Sequence, residues 1–168
     1  MAQTTKTMEN LQEAFAGESQ ANRKYLAFAK QADSEGFTQA AKLFRAAAAA
    51  ETVHAHAHLK VMGGIKSTKE NLQEAIDGET HEFKSMYPAM IAEAEKAGDA
   101  AALRSFSYAN EVEKVHAGLY QKALENLGAE GETFDYFVCS ICGHTVEKAA
   151  PEKCAVCGAG SKAFSQIS

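Results

Sequence analysis

Two short patterns in this chain carry chemistry. Glu51-x-x-His54 and Glu113-x-x-His116 each set a carboxylate and an imidazole three residues apart, which on a helix puts both side chains on one face. Together the two pairs could hold a metal. The second pattern is made of four cysteines, Cys139-x-x-Cys142-Gly143 and Cys154-x-x-Cys157-Gly158, two knuckles separated by eleven residues. Four thiolates at that spacing form a tetrahedral site for zinc or a single iron, and the spacing does not choose between them.

The Glu-x-x-His pairs interrupt apolar stripes. One stripe runs Ala40, Leu43, Phe44, Ala47, Glu51, His54, and another Phe106, Ala109, Glu113, His116, Tyr120. Glu18 lies between Leu11, Phe15 and Tyr25, and Glu79 and Glu82 lie between Leu72, Ile76 and Met86, Met90. If these stripes face a core, five carboxylates and two imidazoles converge there without a Lys or Arg among them. Burying uncompensated acids costs several kcal/mol per charge, so such a core needs positive charge. Two irons, ferrous or ferric, would offset five carboxylates to within about one unit of charge, which favours a redox-active pair. One Glu from each of two helices plus Glu-x-x-His from each of two others is also the ligand pattern of di-iron four-helix bundles. His58, one turn beyond His54, is read as a supporting or core residue, His56 as solvated and His81 as exposed beside its stripe. Tyr25 and Tyr120 either hydrogen-bond ligand carboxylates or pack in the core.

The elements that must position these groups are helices. Strong helix formers fill residues 8 to 127, and apolar periodicity gives helices at about 8–35, 37–62, 68–97 and 99–127. Gly36, Gly63-Gly64 with Ser67-Thr68, and Gly98-Asp99 separate them. The third repeats the first: Asn10-Leu11-Gln12-Glu13-Ala14 with Gly17-Glu18 recurs as Asn71-Leu72-Gln73-Glu74-Ala75 with Gly78-Glu79. From Gly128 the composition changes to a linker and a cysteine-bearing tail, which predicts a helical domain over 1–130 and a small metal-knuckle domain over 131–168. The 168 residues carry a net charge of −5 with no basic run, which gives nucleic-acid binding no support. No apolar run approaches the ~20 residues that span a bilayer, so no membrane association is expected. The polar stretch Met1 to Asn10 lacks the apolar core of a secretory signal, so a cytoplasmic location with reduced thiols is expected.

Taken together, Ala16-Gly17-Glu18-Ser19, Leu43-Phe44-Arg45, Glu51-x-x-His54, Gly78-Glu79-Thr80 with Glu82, Glu113-x-x-His116 and the two Cys-x-x-Cys-Gly knuckles resemble the rubrerythrin family over essentially the whole chain. The resemblance implies a mainly α fold, a ferritin-like four-helix bundle followed by a small rubredoxin-like domain. It implies a di-iron centre held by Glu18, Glu51, His54, Glu79, Glu82, Glu113 and His116, and one iron, or zinc in its place, on Cys139, Cys142, Cys154 and Cys157. The implied activity is reduction of hydrogen peroxide to water in oxidative-stress protection. Electrons would enter through the Fe(Cys)4 site from rubredoxin or an NAD(P)H-dependent rubredoxin reductase. In that family the extra glutamate exchanges with the first motif's histidine as the iron changes oxidation state, which carries over to Glu82 and His54. The chain departs from the family's knuckles at Ser140, Ala155 and His144, positions that bear on the redox potential but not on the ligand set. A ferroxidase or iron-handling role is the alternative, and a structural zinc ribbon on an inert bundle a third reading.

Chain length constrains assembly. A ferritin-like bundle runs its second and third helices parallel, so the chain must return about 33 Å between them. Gly63 to Ser67 reaches about 18 Å. The expectation is a domain-swapped homodimer in which Glu18, Glu51 and His54 of one subunit meet Glu79, Glu82, Glu113 and His116 of the other, with an up-down-up-down monomer as the alternative.

Overall fold

The computed structural model describes residues 5–168, so the first four residues of the polar N-terminal stretch lie outside the described residues. In chain order the elements are α1 (Thr5–Ser34), α2 (Thr38–Val61), α3 (Thr68–His81), a π-helical segment (Glu82–Met86), α4 (Tyr87–Ala97), α5 (Ala100–Glu125), β1 (Tyr136–Cys139), β2 (Thr145–Glu147), a 3-10 turn (Ser161–Ala163) and β3 (Phe164–Ile167). The expected class holds: mainly helix, then a small strand domain bearing four cysteines. The chain divides into two compact units, one ending at Lys66 and one running Ser67–Ser168.

In the first unit α1 packs along α2 on a seam of alanines: Ala29, Ala32, Ala41, Ala48 and Ala55 are buried. Side chains this small let two helices approach closely. Asn22 braces the seam, its Nδ2 donating to the Ala48 carbonyl at 2.6 Å and to Thr52 Oγ1 at 2.9 Å. Arg45 pairs with Asp33 at 2.6 Å near the turn. Gly36 closes α1 at φ 82°, a left-handed conformation that suits glycine, and lets the Phe37 N–H reach the Ala32 carbonyl at 2.8 Å.

The stripes expected to face a core are more open than the sequence suggests. The buried line of α2 is Ala41, Ala48, Ala55, whereas Leu43 is 67% exposed. The cause is that α1 covers one side of α2 within this unit, which leaves the Glu51 stripe at the margin of the seam. Among the described residues, no Leu, Ile, Met, Phe or Tyr is buried.

In the second unit α3 starts at a capping box in which Ser67 and Glu70 satisfy each other's backbone N–H. The single helix expected over 68–97 is interrupted. Between Glu82 and Met86 the turn widens, and the Tyr87 N–H bonds to the Glu82 carbonyl, five residues back. Pro88 supplies the reason: it has no N–H to donate, and its ring would strike the Lys84 carbonyl in α geometry. The widened turn holds one extra residue, and the internal repeat records it. Asn71, Gly78 and Glu79 lie 61 positions after Asn10, Gly17 and Glu18, but Ala94, Gly98, Glu113 and His116 lie 62 after Ala32, Gly36, Glu51 and His54. Buried Ala94 thus matches buried Ala32, and left-handed Gly98 matches Gly36. The Asp99 carboxylate then accepts from the N–H groups of Ala101 and Ala102 to start α5.

The tail forms an antiparallel sheet in the order β2-β1-β3, with Phe137 opposite Val146 and Gln166. Its two knuckles share one hydrogen-bond plan. The Cys139 N–H donates to the His144 carbonyl and the Gly143 N–H to the Cys139 carbonyl; Cys154, Ala159 and Gly158 repeat this. Within this unit the sheet meets α5, where His116 Nε2 lies 2.9 Å from Thr145 Oγ1 and Lys122 pairs with Glu147. No helix among the described residues is long and apolar enough to cross a membrane.

Candidate metal centres

Each helical unit builds a triad of metal-ligand type. In the first, His54 Nδ1 lies 2.9 Å from Glu51 Oε2 and 3.7 Å from Glu18 Oε1. In the second, His116 Nδ1 lies 2.8 Å from Glu113 Oε2 and 3.8 Å from Glu79 Oε2. The helical spacing of Glu-x-x-His sets the shorter contact, and a glutamate from the neighbouring helix of the pair closes the triad. Six of the seven expected bundle residues are gathered in this way. Glu82 stands outside both triads, at the start of the π segment. His56 and His81 are exposed and His58 half-buried, and none joins a metal-like cluster among the described residues.

The second triad is short of positive charge. Burial, then a hydrogen bond with Glu113 and the charges of Glu113 and Glu82, push the Glu79 carboxyl up to about 7. Tyr87 is held above its ordinary range by burial and by the charges of Glu113, Glu82 and Glu79. This tyrosine escapes a reading of the sequence alone, because an ungapped overlay of the repeat sets Met86 against Tyr25. The extra residue in the π segment makes Tyr87 the true counterpart. A Glu79 carboxyl pushed up by burial and like charge, with the His116 imidazole nitrogen 3.8 Å away, fits a bound metal ion.

The cysteines form a third cluster. All four are free thiols, with Cys139 and Cys154 buried and Cys142 and Cys157 half-buried. Cys139 and Cys157 sulfurs are 3.7 Å apart and those of Cys142 and Cys154 3.6 Å. A tetrahedron with metal–sulfur bonds of ~2.3 Å has edges of about 3.8 Å, so the cage fits a single ion. Burial and hydrogen bonds from the other thiols push Cys142 up to about 12 against the pull of the His144 backbone N–H. Burial opposes ionisation of Cys154 too, but N–H groups of Cys157 and Val156 and neighbouring thiols bring it down to about 7. One cage therefore holds thiols of very different acidity, and a cation is what lets all four ionise together.

Helices that carry two Glu/His triads, followed by a strand domain with four cysteines, define the class. A family profile described as Rubrerythrin matches residues 9–124, and one described as Rubrerythrin, rubredoxin-like domain, matches 137–165. Rubrerythrin-2 of Clostridium acetobutylicum is 33% identical over 94% of this chain and 95% of its own. Nigerythrin of Nitratidesulfovibrio vulgaris is 35% identical over 90% of this chain and 81% of its own. The solved structure of nigerythrin in its mixed-valence state covers 99% of this chain and 88% of that chain, with a TM-score of 0.58 at 34% identity. A fully reduced, all-ferrous nigerythrin matches likewise, with a TM-score of 0.59.

The chain belongs to the rubrerythrin family, di-iron oxidative-stress proteins with a ferritin-like bundle and a rubredoxin-like domain of four cysteines. Its Glu/His clusters and its four cysteines are the chain's counterparts of that family's two kinds of iron site.

Proposed function

We propose that the chain reduces hydrogen peroxide to water at a di-iron centre held by Glu18, Glu51, His54, Glu79, Glu82, Glu113 and His116. The observation that carries this over iron handling is the seat of the cysteine domain: its strand β2 hydrogen-bonds, through Thr145, the imidazole of the second triad. An electron-transfer centre against a ligand helix serves repeated reduction better than iron storage. Held by these glutamates and histidines, a pair of irons would supply the two electrons that peroxide reduction needs, and an iron held by Cys139, Cys142, Cys154 and Cys157 would return them one at a time. Rubredoxin or an NAD(P)H-dependent rubredoxin reductase is the proposed donor. That nigerythrin is solved in both mixed-valence and all-ferrous states supports iron that changes oxidation state in this family.

The residues would manage protons and position. Peroxide takes up two protons on its way to two waters, which the carboxylates around the second triad would relay. Tyr87, kept protonated by burial and by the charges of the same carboxylates, would be available as a hydrogen-bond donor at neutral pH. Glu82, one helical turn from Glu79, is the acid proposed to exchange with His54.

The functional bundle is proposed to be a domain-swapped homodimer, with a helical domain over 1–130 and a rubredoxin-like domain over 131–168. The shortness of the Met62–Ser67 connection supports it, as do Leu43, Val53 and Phe37, 67%, 66% and 61% exposed in the single chain. An iron-replete monomer in sedimentation would refute the swap.

Metal content per chain and the visible spectrum, before and after peroxide meets the reduced protein, test the whole proposal. The expected result is about three irons, with a thiolate-to-iron band that returns as peroxide oxidises the protein. Zinc on the cysteines with iron only in the bundle would favour iron handling. A bundle that takes no metal would refute both.

A further inference from the structure

His116 differs from His54 in what its far nitrogen meets. His116 Nε2 lies 2.9 Å from Thr145 Oγ1, and the Thr145 hydroxyl lies 3.1 Å from the Gly143 carbonyl. A hydroxyl has one hydrogen, and the Gly143 carbonyl can only accept it. With that hydrogen committed, the oxygen's lone pair faces Nε2, so Nε2 must carry the hydrogen of this bond. The other nitrogen, Nδ1, points at Glu113 Oε2 at 2.8 Å and Glu79 Oε2 at 3.8 Å. The ring is thus held between a neutral acceptor on one side and the carboxylates on the other. His54 makes the same contacts through Nδ1, but among the described residues nothing hydrogen-bonds its Nε2.

We propose that Thr145 is the positioning residue of His116. Its hydroxyl fixes the imidazole with Nε2 protonated and Nδ1 presented to the metal. It also ties that ligand, through Gly143, to the Cys142 knuckle. The inference rests on the reading of His116 as a metal ligand. A ligating imidazole whose other N–H is accepted by a fixed partner gains orientation and basicity, and losing such a partner costs roughly 10–100-fold in metal affinity. Only one of the two triads has this support. The effect therefore falls on one of the two metal ions in the bundle.

Thr145→Val keeps the shape and strand preference and removes the hydroxyl; Thr145→Ser restores it. The full chain, loaded with zinc, is read by 1H–15N correlation of the imidazole nitrogens. The expected result is a slowly exchanging Nε2 proton on His116 in the parent and in Thr145→Ser, lost in Thr145→Val. Zinc titration beyond the equivalent held by the thiolates should show one bundle ion bound about 10–100-fold more weakly in Thr145→Val and recovered in Thr145→Ser. The cobalt–thiolate spectrum of the cysteine site, unchanged in all three, establishes that the tail is intact. Unchanged zinc affinity in Thr145→Val, or equal weakening of both bundle ions, overturns the proposal. A parent that takes no zinc at all beyond the cysteines fails the underlying reading of the bundle instead, and is told apart by that.

Discussion

The two Glu/His triads are near copies in geometry and unlike in their surroundings. The shorter histidine–glutamate contacts are 2.9 and 2.8 Å and the longer ones 3.7 and 3.8 Å. Yet the side chain of His54 is 54% exposed, against 26% for His116. His116 is pinned by Thr145, and its triad has Glu82 and Tyr87 at hand through the π segment. The first unit has instead a polar brace, Asn22 on Ala48 and Thr52, and no extra residue. The motif fixes ligand geometry; what surrounds it decides which ligand can move. The proposed exchange of Glu82 with His54 fits this division, because it moves the histidine with the freer ring and leaves the pinned one in place.

The bluntest way to break the comparison is to remove one acid at a time. Glu51→Ala and Glu113→Ala should each lower the iron count from about three per chain and cut peroxide turnover by more than about a hundredfold, beyond the loss expected for a supporting partner. Iron assay and peroxide consumption with a saturating donor read both. Equal, small losses would mean the triads are not ligands. Glu82→Ala is the next largest: it makes the second half resemble the first. Its expected signature is an unchanged iron count with turnover down by about tenfold or more. A lost iron would instead make Glu82 a permanent ligand. Asn22→Ala acts on the first unit alone. It removes a buried donor that holds α1 on α2, which should cost about 1–2 kcal/mol in denaturant unfolding while the second triad keeps its metal.

These differences mark where the sequence is informative. Glu51, His54, Glu113 and His116 are legible because a helix converts a three-residue spacing into adjacency, and the cysteines because knuckle spacing survives any surrounding fold. The π segment leaves two traces in the sequence, Pro88 and the offset of 61 before Glu82 that becomes 62 by Ala94, although Glu82 to Met86 is itself ordinary helix composition. Tyr87 is hidden behind the same single residue. The Thr145–His116 bond is invisible for another reason. It joins residues 29 apart through the docking of a sheet on a helix, which no local pattern encodes. The openness of Leu43 escapes because periodicity says which residues share a face, not whether that face is covered within one chain.

The smallest expected effect sharpens the comparison through pH. Glu79 has a folded pKa of about 7, above its ordinary value of 4.5, chiefly from burial and then from Glu113 and Glu82. As pH rises the unfolded chain gives up this proton first. The contribution of Glu79 to stability is therefore full below 4.5 and is lost as pH climbs through about 7. Partial exposure of the group keeps the slope shallow. Denaturant midpoints between about pH 4.5 and 8, with zinc confined to the cysteines, should fall with pH in the parent and lose this component in Glu79→Gln. Filling the bundle with metal should reverse the sign, because ligation requires the carboxylate and so grows stronger as the proton leaves. A slope untouched by Glu79→Gln would refute the assignment of this pH dependence to Glu79.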